Sequence, residues 1–228
     1  MARTRVKICG ITRREDARRA VALGADALGF VFVAASARCV SLETARRMVR
    51  ELPPFVTPVG LFLDAETEEV EAALEAMPDL VPQFHGRESA SWCEAFGRPY
   101  LKALGVAEGL PTRRALEAYE GARGFLLDSH APGALGGTGH AFDWRRLADG
   151  ALEADDEDGR ARVGGRALIL AGGLDASNAE EAVATLRPYA LDVSSGVERA
   201  KGVKDEEAMR AFLDAVRRAD TNTTETTT

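Results

Sequence analysis

The sequence predicts an α/β protein, a single-domain (β/α)8 TIM barrel. Eight short apolar runs recur along the chain, and amphipathic stretches rich in Ala, Glu and Arg separate them, as repeated βα units require. A length of 228 residues lies within the range of one such barrel. An open doubly wound sheet usually has fewer strands and a GxGxxG fingerprint after the first strand, whereas the first turn here reads CGIT at 9–12.

The strands are predicted at the apolar runs, which are short enough for strands and are bounded by turn-forming or charged residues. Eight of them are the number that closes a parallel barrel. The predicted strands cover residues 5–9, 27–33, 57–62, 80–84, 100–104, 124–127, 167–170 and 190–193.

The helices are predicted at the amphipathic stretches between the strands. Thr12 and Ser41 stand where N-caps belong, and Gly24 follows the first helix in the position of a C-cap. The predicted helices cover residues 13–23, 42–51, 67–77, 89–96, 113–119, 177–186 and 206–218.

Two segments do not follow the alternation of strands and helices. Residues 148–162 are acidic and contain Gly, which predicts a solvated loop insertion around the sixth helix. Residues 221–228 form a polar, Thr-rich stretch that is expected to be a disordered tail. The barrel itself is therefore assigned to residues 1–220.

The charge and the cysteine content limit the cellular location and the binding partners that the protein can have. The net charge is −7, with acidic clusters at 66–75 and 153–158, which argues against nucleic acid as a partner. The apolar runs are too short to span a membrane, and the first residues lack the apolar region of a signal peptide. Three cysteines without a CxxC pair argue against a disulfide framework or a cysteine-based zinc site. We expect a cytoplasmic protein.

The basic residues are unevenly divided between the two types. Only four of the 29 Lys and Arg residues are lysines. An acidic, lysine-poor surface is typical of a salt-rich cytoplasm, where salt relieves the self-repulsion of the charges. A genome of high GC content would also replace Lys with Arg, so both explanations remain open.

Cys9 closes the first strand, at the end where barrel enzymes present their catalytic groups. Because side chains alternate along a strand, Cys9 shares a face with Lys7 and Arg5, while Val6 and Ile8 face the helices. A cation such as Lys7 could lower the pKa of the thiol, and Arg5 is a weaker candidate for that role. Cys9 is a candidate nucleophile or general base, although a cysteine here could also simply fill the core.

Asp128 directly follows the sixth strand, where a carboxylate is costly unless it is used or paired. A Gly-rich segment at 136–140, GGTGH, comes next and could close over a ligand. A base on strand one and an acid on strand six suit proton-transfer chemistry across the barrel mouth. Cys9 and Asp128 are therefore the predicted catalytic pair; the alternative is that Asp128 only caps the following turn.

Small residues follow the last two strands. Gly172 and Gly173 come after the seventh strand, and Ser194, Ser195 and Gly196 come after the eighth. Loops of this kind let backbone N–H groups face an anion, and these two loops form the recurrent phosphate site of the barrel fold. The sequence therefore predicts a phosphorylated small-molecule ligand.

Three further polar residues are candidates for binding. Arg38, after the second strand, could hold a carboxylate in a bidentate fork or could pair at the surface. Gln83 and His85 share a face at the end of the fourth strand and could orient a ligand or satisfy the barrel interior. The His, Asp and Glu residues show no metal-ligand spacing, so no metal is predicted.

The ordered motifs resemble those of the phosphoribosylanthranilate isomerase family of tryptophan biosynthesis, from about residue 5 to residue 217. Each motif alone is weak, but the combination is specific. The segments that carry the resemblance are KICG at 7–10, GADALGF at 24–30, QFHG at 83–86, GTG at 137–139, FDW at 142–144, AGGL at 171–174, DVSSGVE at 192–198 and GVKD at 202–205.

The resemblance implies an Amadori rearrangement without cofactor or metal, from N-(5′-phosphoribosyl)anthranilate to 1-(2-carboxyphenylamino)-1-deoxyribulose 5-phosphate. It implies that Asp128 is the general acid, which protonates the furanose ring oxygen, and that Cys9 is the general base, which removes the C2′ proton. Arg38 would bind the anthranilate carboxylate, and the loops at 172–173 and 194–196 would hold the 5′-phosphate.

Two more implications concern Asp192 and assembly. Asp192, at the end of the eighth strand, would position the substrate or Cys9. The family includes monomers and homodimers, so both states are expected here.

The chain departs from the family pattern at a few positions. Ala37 and Cys39 flank Arg38, where the family usually has Pro before the arginine and a bulky residue after it, and Phe84 replaces the usual Leu.

Two other functions fit parts of the pattern. The related histidine-pathway barrel performs the same rearrangement, but it usually has Asp in place of Cys9 and a two-fold repeat of phosphate motifs that is absent here. A degenerate barrel that only senses phosphorylated metabolites would need neither Cys9 nor Asp128.

Overall fold

The computed structural model describes residues 3–106, 113–128, 153–154 and 159–225, and within them eight parallel strands close into a barrel. Each barrel strand pairs with the next in chain order, and the last pairs with both the preceding strand and the first, which closes the ring. This confirms the predicted fold class. The barrel strands are β1 Arg5–Cys9, β2 Ala27–Val31, β3 Thr57–Phe62, β4 Val81–Phe84, β5 Tyr100–Gly105, β6 Ala122–Asp128, β9 Arg166–Leu170 and β10 Ala190–Val193.

Helices lie between the strands, with bounds within a few residues of those predicted, apart from the C-terminal end of the last one. The described helices are α1 Arg14–Leu23, α2 Leu42–Val49, α3 Thr67–Ala76, α4 Ala90–Glu94, α5 Arg113–Glu117, α6 Ala179–Leu186 and α7 Glu206–Glu225. Ser41 caps α2 by accepting the backbone N–H of Thr44, and Gly24 ends α1 at φ 98°, as predicted. Thr12 is not the cap of α1, because Arg13 takes that position and the Thr12 hydroxyl donates to the carbonyl of Gly202 instead.

Two apolar layers form on the two sides of the barrel wall. Val6 and Ile8 belong to the larger core between strands and helices, as the alternation of β1 predicts. A smaller cluster fills the barrel interior below the site, and Arg5 closes this end by stacking 4.1 Å above the ring of Tyr189. The interior cluster consists of Ala103, Leu126, Ile169, Ala171 and Ala190.

The predicted acidic loop insertion differs in its described part. Strands β7 Glu153–Ala154 and β8 Ala161–Val163 extend the sheet beyond β9 in antiparallel fashion. Ala161 and Val163 are buried and alternate with Arg162, as in a strand with one buried face. The end of the predicted loop is therefore part of the sheet. Residues 148–152 and 155–158 of the predicted loop, and the Gly-rich segment at 136–140, lie outside the described residues.

The predicted disordered tail also differs where it is described. Helix α7 continues to Glu225, because Val216 and Ala219 still bury an apolar face and Thr221 bonds back to the carbonyl of Arg217. Residues 226–228 lie outside the described range. In the part of the chain that the structure describes, no helix combines the length and apolarity needed to cross a membrane.

A short hairpin follows β10 and matters for the site. A 3₁₀ turn at Ser195–Val197 leads into β11 Glu198–Ala200, which pairs antiparallel with β12 Val203–Lys204. The register places Glu198 opposite Lys204. The backbone N–H of Lys204 donates to the buried carboxylate of Asp16 on α1, which ties the hairpin to the barrel.

Candidate active site

The carboxyl ends of the barrel strands surround an open cavity. The sequence predicts eleven residues for catalysis or binding, and ten of them line this cavity. These residues are Cys9, Arg38, Gln83, His85, Asp128, Gly172, Gly173, Asp192, Ser194 and Ser195. The remaining one, Gly196, lies just outside the lining, where a Cβ would be only 1.9 Å from the carbonyl oxygen of Leu174 and glycine is required.

Cys9 ends β1 at the floor of this cavity and is 6 % exposed. Gly29 lies beside it on β2, and a Cβ at position 29 would be 2.7 Å from the Cys9 sulfur. The hydroxyl of Ser194 donates to the backbone carbonyl of Cys9 at 3.1 Å. Gly29 therefore leaves just enough room for the thiol, and Ser194 fixes the backbone of Cys9.

Burial raises the pKa of Cys9, and the nearby Asp192 carboxylate adds to the rise. The ammonium groups of Lys7 and Lys204 act in the opposite direction but do not outweigh the loss of water around a thiolate. The prediction that Lys7 lowers the pKa of Cys9 is therefore right for that one interaction and wrong for the net effect.

Lys7 and Asp192 form a buried ion pair beneath the thiol. They are register partners on β1 and β10, their Nζ and Oδ2 atoms are 2.9 Å apart, and their side chains are 5 % and 8 % exposed. Burial acts to lower the pKa of Lys7, but Asp192 and Cys9 together raise it, so the ammonium stays charged. The second carboxylate oxygen of Asp192, Oδ1, is buried and has no hydrogen-bond partner among the described residues, so it can accept a bond from a ligand.

His85 and Asp128 face each other at the ends of β4 and β6. His85 Nε2 lies 3.6 Å from Asp128 Oδ2, close but beyond hydrogen-bond distance. Burial lowers the pKa of His85 even though Asp128 opposes the shift, so the imidazole is neutral near pH 7. Gln83 Nε2 lies 3.5 Å from His85 Nδ1, and Gln83 Oε1 has no partner among the described residues.

The small-residue loop after β9 has a fixed shape. Gly172 and Gly173 adopt φ values of 84° and 66°, which side-chain-bearing residues rarely reach. The Asn178 side chain holds this loop by donating to the carbonyl of Gly173 at 2.8 Å and accepting from the N–H of Asp175 at 2.9 Å. The glycine loop and the turn that starts at Ser195 lie on one side of the cavity, where both can present backbone amides.

Arg38 lines the cavity in the segment after β2, but its guanidinium also belongs to a charged cluster. Arg38 Nε and Nη2 each donate to one oxygen of Glu198 at 2.8 Å. Lys204 Nζ donates to Glu198 at 2.8 Å and to the carbonyl of Ser194 at 3.0 Å. Glu198 and Lys204 were in motifs that carry the family resemblance, yet no role was predicted for them, because a sequence does not show that a hairpin brings them to Arg38.

The described residues contain no group of three or more His, Cys, Asp or Glu side chains that could hold a metal ion. The titratable groups that face the cavity are instead a thiol, an imidazole, carboxylates and a guanidinium. Such groups can move protons and bind anions.

A closed (β/α)8 barrel with these groups at the carboxyl ends of its strands is a barrel enzyme. Residues 6–215 match the family described as N-(5′-phosphoribosyl)anthranilate isomerase. The chain belongs to this family.

Curated relatives match over nearly their whole length. The protein named N-(5′-phosphoribosyl)anthranilate isomerase in Acidithiobacillus ferrooxidans is 51% identical over 217 residues, covering 95% of this chain and 99% of the relative. A protein of the same name in Pseudomonas putida is 49% identical over 219 residues, covering 96% of this chain and 100% of the relative.

Solved structures agree with this assignment. The phosphoribosyl anthranilate isomerase of Thermus thermophilus is 42% identical, with a TM-score of 0.78 over 94% of this chain and 99% of that chain. A phosphoribosyl anthranilate isomerase structure at 35% identity and TM-score 0.74, covering 94% and 99% of the two chains, is in complex with reduced 1-(o-carboxyphenylamino)-1-deoxyribulose 5-phosphate.

Proposed function

We propose that this chain isomerises N-(5′-phosphoribosyl)anthranilate with Asp128 as general acid and Cys9 as general base. The reaction is an aldose–ketose isomerisation, an Amadori rearrangement of tryptophan biosynthesis. The observation that carries the proposal is that the thiol of β1 and the carboxylate of β6 face one cavity, whose wall also contains two small-residue loops. This arrangement provides an acid, a base and an anion site without any additional group.

The reaction proceeds in four proton transfers, two to the substrate and two from it. Asp128 protonates the furanose ring oxygen, which opens the ring and leaves a Schiff base between the anthranilate nitrogen and C1′. The Cys9 thiolate then removes the proton from C2′, giving an enolamine. Protonation at C1′ and loss of the C2′ hydroxyl proton complete the ketone, so that hydrogen moves within the substrate and no external oxidant is needed.

The environment of Cys9 suits a base that works on a carbon acid. Burial raises the pKa of the thiol, so the thiolate is the minor form near neutral pH but is strongly basic when it forms. Lys7 and Lys204 supply positive charge that stabilises the thiolate inside the barrel. The neutral His85 stands beside Asp128 and can orient the ring oxygen or the acid by hydrogen bonding.

The remaining groups bind the substrate. The backbone amides at Gly172–Gly173 and at 194–196 hold the 5′-phosphate, and Arg38 binds the anthranilate carboxylate. Asp192 accepts a ribose hydroxyl through its unpaired Oδ1, while Lys7 holds the other oxygen. Gln83 offers its unpaired Oε1 in the same way.

The test is steady-state kinetics, followed by the loss of substrate fluorescence. Cys9→Ser and Asp128→Asn should each lower kcat by roughly 10²–10⁴, the usual contribution of a general acid or base. Both variants should keep binding of the reduced product analogue. Cys39→Ser and Asp79→Asn, which alter exposed residues of the same two types, are the matched controls and should keep full activity. Wild-type turnover in both site variants would overturn the acid–base assignment.

We further propose that the chain forms a homodimer rather than a monomer. A related structure, from Thermotoga maritima, is described as a monomer form of a dimeric enzyme. Phe55 is fully exposed here at a positive φ of 71°, and a second copy would remove this ring from water. Light scattering should give the mass of a dimer for the wild type and of a monomer for Phe55→Asp; a monomeric wild type would contradict the proposal.

A reduced cytoplasm is the proposed setting, because Cys9, Cys39 and Cys93 are all free thiols. The acidic, lysine-poor composition further suggests adaptation to high salt. The free energy of unfolding should then rise as KCl is increased to molar concentration, and indifference to salt would reject the halophilic character.

A further inference from the structure

Arg38, Glu198 and Lys204 form a buried cluster at the cavity edge. Their side chains are 11 %, 4 % and 0 % exposed, and Glu198 lies between the two cations. Although burial acts to raise the pKa of Glu198, its hydrogen bonds with Arg38 and Lys204 and their charges hold it below its ordinary value, so it is ionised. The cluster therefore carries two positive charges and one negative charge.

We propose that Glu198 is a positioning residue that aims Arg38 at the carboxylate of the substrate, and that Lys204 preserves the positive charge needed to bind it. The inference rests on the proposed contact between Arg38 and the anthranilate carboxylate. It makes the hairpin after β10 the element that sets preference for an anthranilate-bearing substrate.

The geometry of the guanidinium supports this role. A guanidinium has a side fork, formed by Nε and one Nη, and an end fork, formed by both Nη atoms. Glu198 occupies the side fork of Arg38 through Nε and Nη2. Nη1 has no protein partner among the described residues, so the end fork of Arg38 remains available at the cavity that this residue lines.

Packing restricts Arg38 further. A Cβ at Gly10 would lie 2.4 Å from Arg38 Cδ, so the aliphatic part of the side chain runs directly across this glycine. With the stem against Gly10 and the side fork on Glu198, few rotamers remain. An arginine fixed before the ligand arrives loses less conformational entropy on binding than a free one.

The charge balance explains Lys204. Arg38 paired with Glu198 alone would be neutral and would attract a carboxylate weakly. Lys204 brings the cluster to a net charge of +1, counted from Arg38 and Lys204 against Glu198. Burial lowers the pKa of Lys204, but Glu198 opposes that shift, and the carbonyl of Ser194 gives the ammonium a further acceptor.

Binding of two ligands that differ only in the carboxylate tests the proposal. One is the reduced product analogue, and the other is its counterpart made from aniline, which has the same sugar phosphate but no carboxylate. The ratio of their dissociation constants, measured by titration calorimetry, reports the carboxylate contact. The aniline ligand also shows that each variant is folded and binds phosphate.

Three variants test separately the contact made by Arg38, the orientation that Glu198 gives it, and the charge that Lys204 adds. Arg38→Met should abolish the preference for the carboxylate ligand. Glu198→Asp keeps the charge but is one methylene too short for the side fork, and Lys204→Met keeps the fork but makes the cluster neutral. Each should lower the ratio by about tenfold or more, the factor that a charge-assisted hydrogen bond represents. Glu206→Asp, in an exposed pair with Arg210, is the control and should not change it.

The outcomes distinguish this inference from the proposed function. An unchanged ratio in Arg38→Met would show that Arg38 does not bind the carboxylate. The proposed Arg38 contact and this inference would then both be wrong. A lost preference in Arg38→Met with a wild-type ratio in Glu198→Asp and Lys204→Met would overturn the roles of Glu198 and Lys204 and leave the Arg38 contact standing. A raised ratio in Glu198→Asp would also overturn it, because Glu198 would then compete with the ligand for Arg38.

Discussion

Replacing Lys102 with methionine removes a buried ammonium and keeps most of the side-chain volume. Lys102 points from β5 into the layer between barrel and helices, where Nζ donates to the carbonyls of Phe84 at 3.2 Å and Gly86 at 2.7 Å and to Glu88 Oε2 at 2.9 Å. The Lys102 and Glu88 side chains are both 3 % exposed. The other Glu88 oxygen accepts the backbone N–H groups of Asp64 and Gly86 at 3.0 Å.

The expected loss follows from what the substitution leaves behind. In Lys102→Met, Glu88 becomes a buried carboxylate without its cation, which costs about 3–5 kcal/mol of unfolding free energy. The two freed carbonyls belong to the same network, so their cost overlaps with this value and is not added. For a chain of this length each kcal/mol lowers Tm by about 2–4 °C, so the melting temperature should fall by roughly 6–20 °C.

Urea unfolding followed by circular dichroism measures the change. Arg218→Met is the matched control, because Arg218 pairs with Glu180 at the surface, with side chains 59 % and 43 % exposed, and should cost less than about 1 kcal/mol. The double variant Glu88→Gln/Lys102→Met removes the uncompensated charge and should be more stable than Lys102→Met. A loss below about 1 kcal/mol in Lys102→Met, or a double variant no more stable than it, would refute the reasoning.

Three further predictions concern the thiols. Gly29→Ala places a methyl against the Cys9 sulfur and should displace the thiol, which lowers kcat/KM by about 10²-fold. Unchanged kinetics would disprove this prediction. Lys7→Met removes the cation that favours the Cys9 thiolate, so peptide-resolved alkylation of Cys9 should shift to higher pH, and an identical midpoint would count against this. Burial raises the pKa of Cys93 to about 12, so the folded state keeps a proton that the unfolded chain releases above about pH 8.5, and stability should fall with rising pH there. Cys93→Ala should fall less steeply between pH 8 and 10; equal slopes would reject the assignment.

The barrel could be predicted because its local rules agree with one another. Apolar runs such as 5–9 and 190–193 alternate with amphipathic helices, and the structure places these strands as predicted. The alternation of β1 also placed Cys9 and Lys7 inside and Val6 outside. These are short-range properties, so neighbouring residues are enough to determine them.

The predictions that differed depended on residues far apart in sequence. Thr12 had the right residue type and position for an N-cap, but its hydroxyl reaches Gly202 instead. Thr221 looked like the start of a disordered tail, but α7 packs on the barrel and continues past it. The net pKa of Cys9 depends on how completely the barrel removes water from the thiol, which no local pattern records.

The sequence by itself determined the fold class, the strand ends that carry Cys9 and Asp128, and the family, because all of these follow from residue type and order. Only the tertiary structure showed that Glu198 holds both Arg38 and Lys204, that Lys7 holds Asp192, and that Lys102 neutralises Glu88 inside the wall. These ion pairs join positions as far as 185 residues apart. The strength of these ion pairs comes from their burial and from the orientation of the charged groups, and both exist only once the barrel has closed.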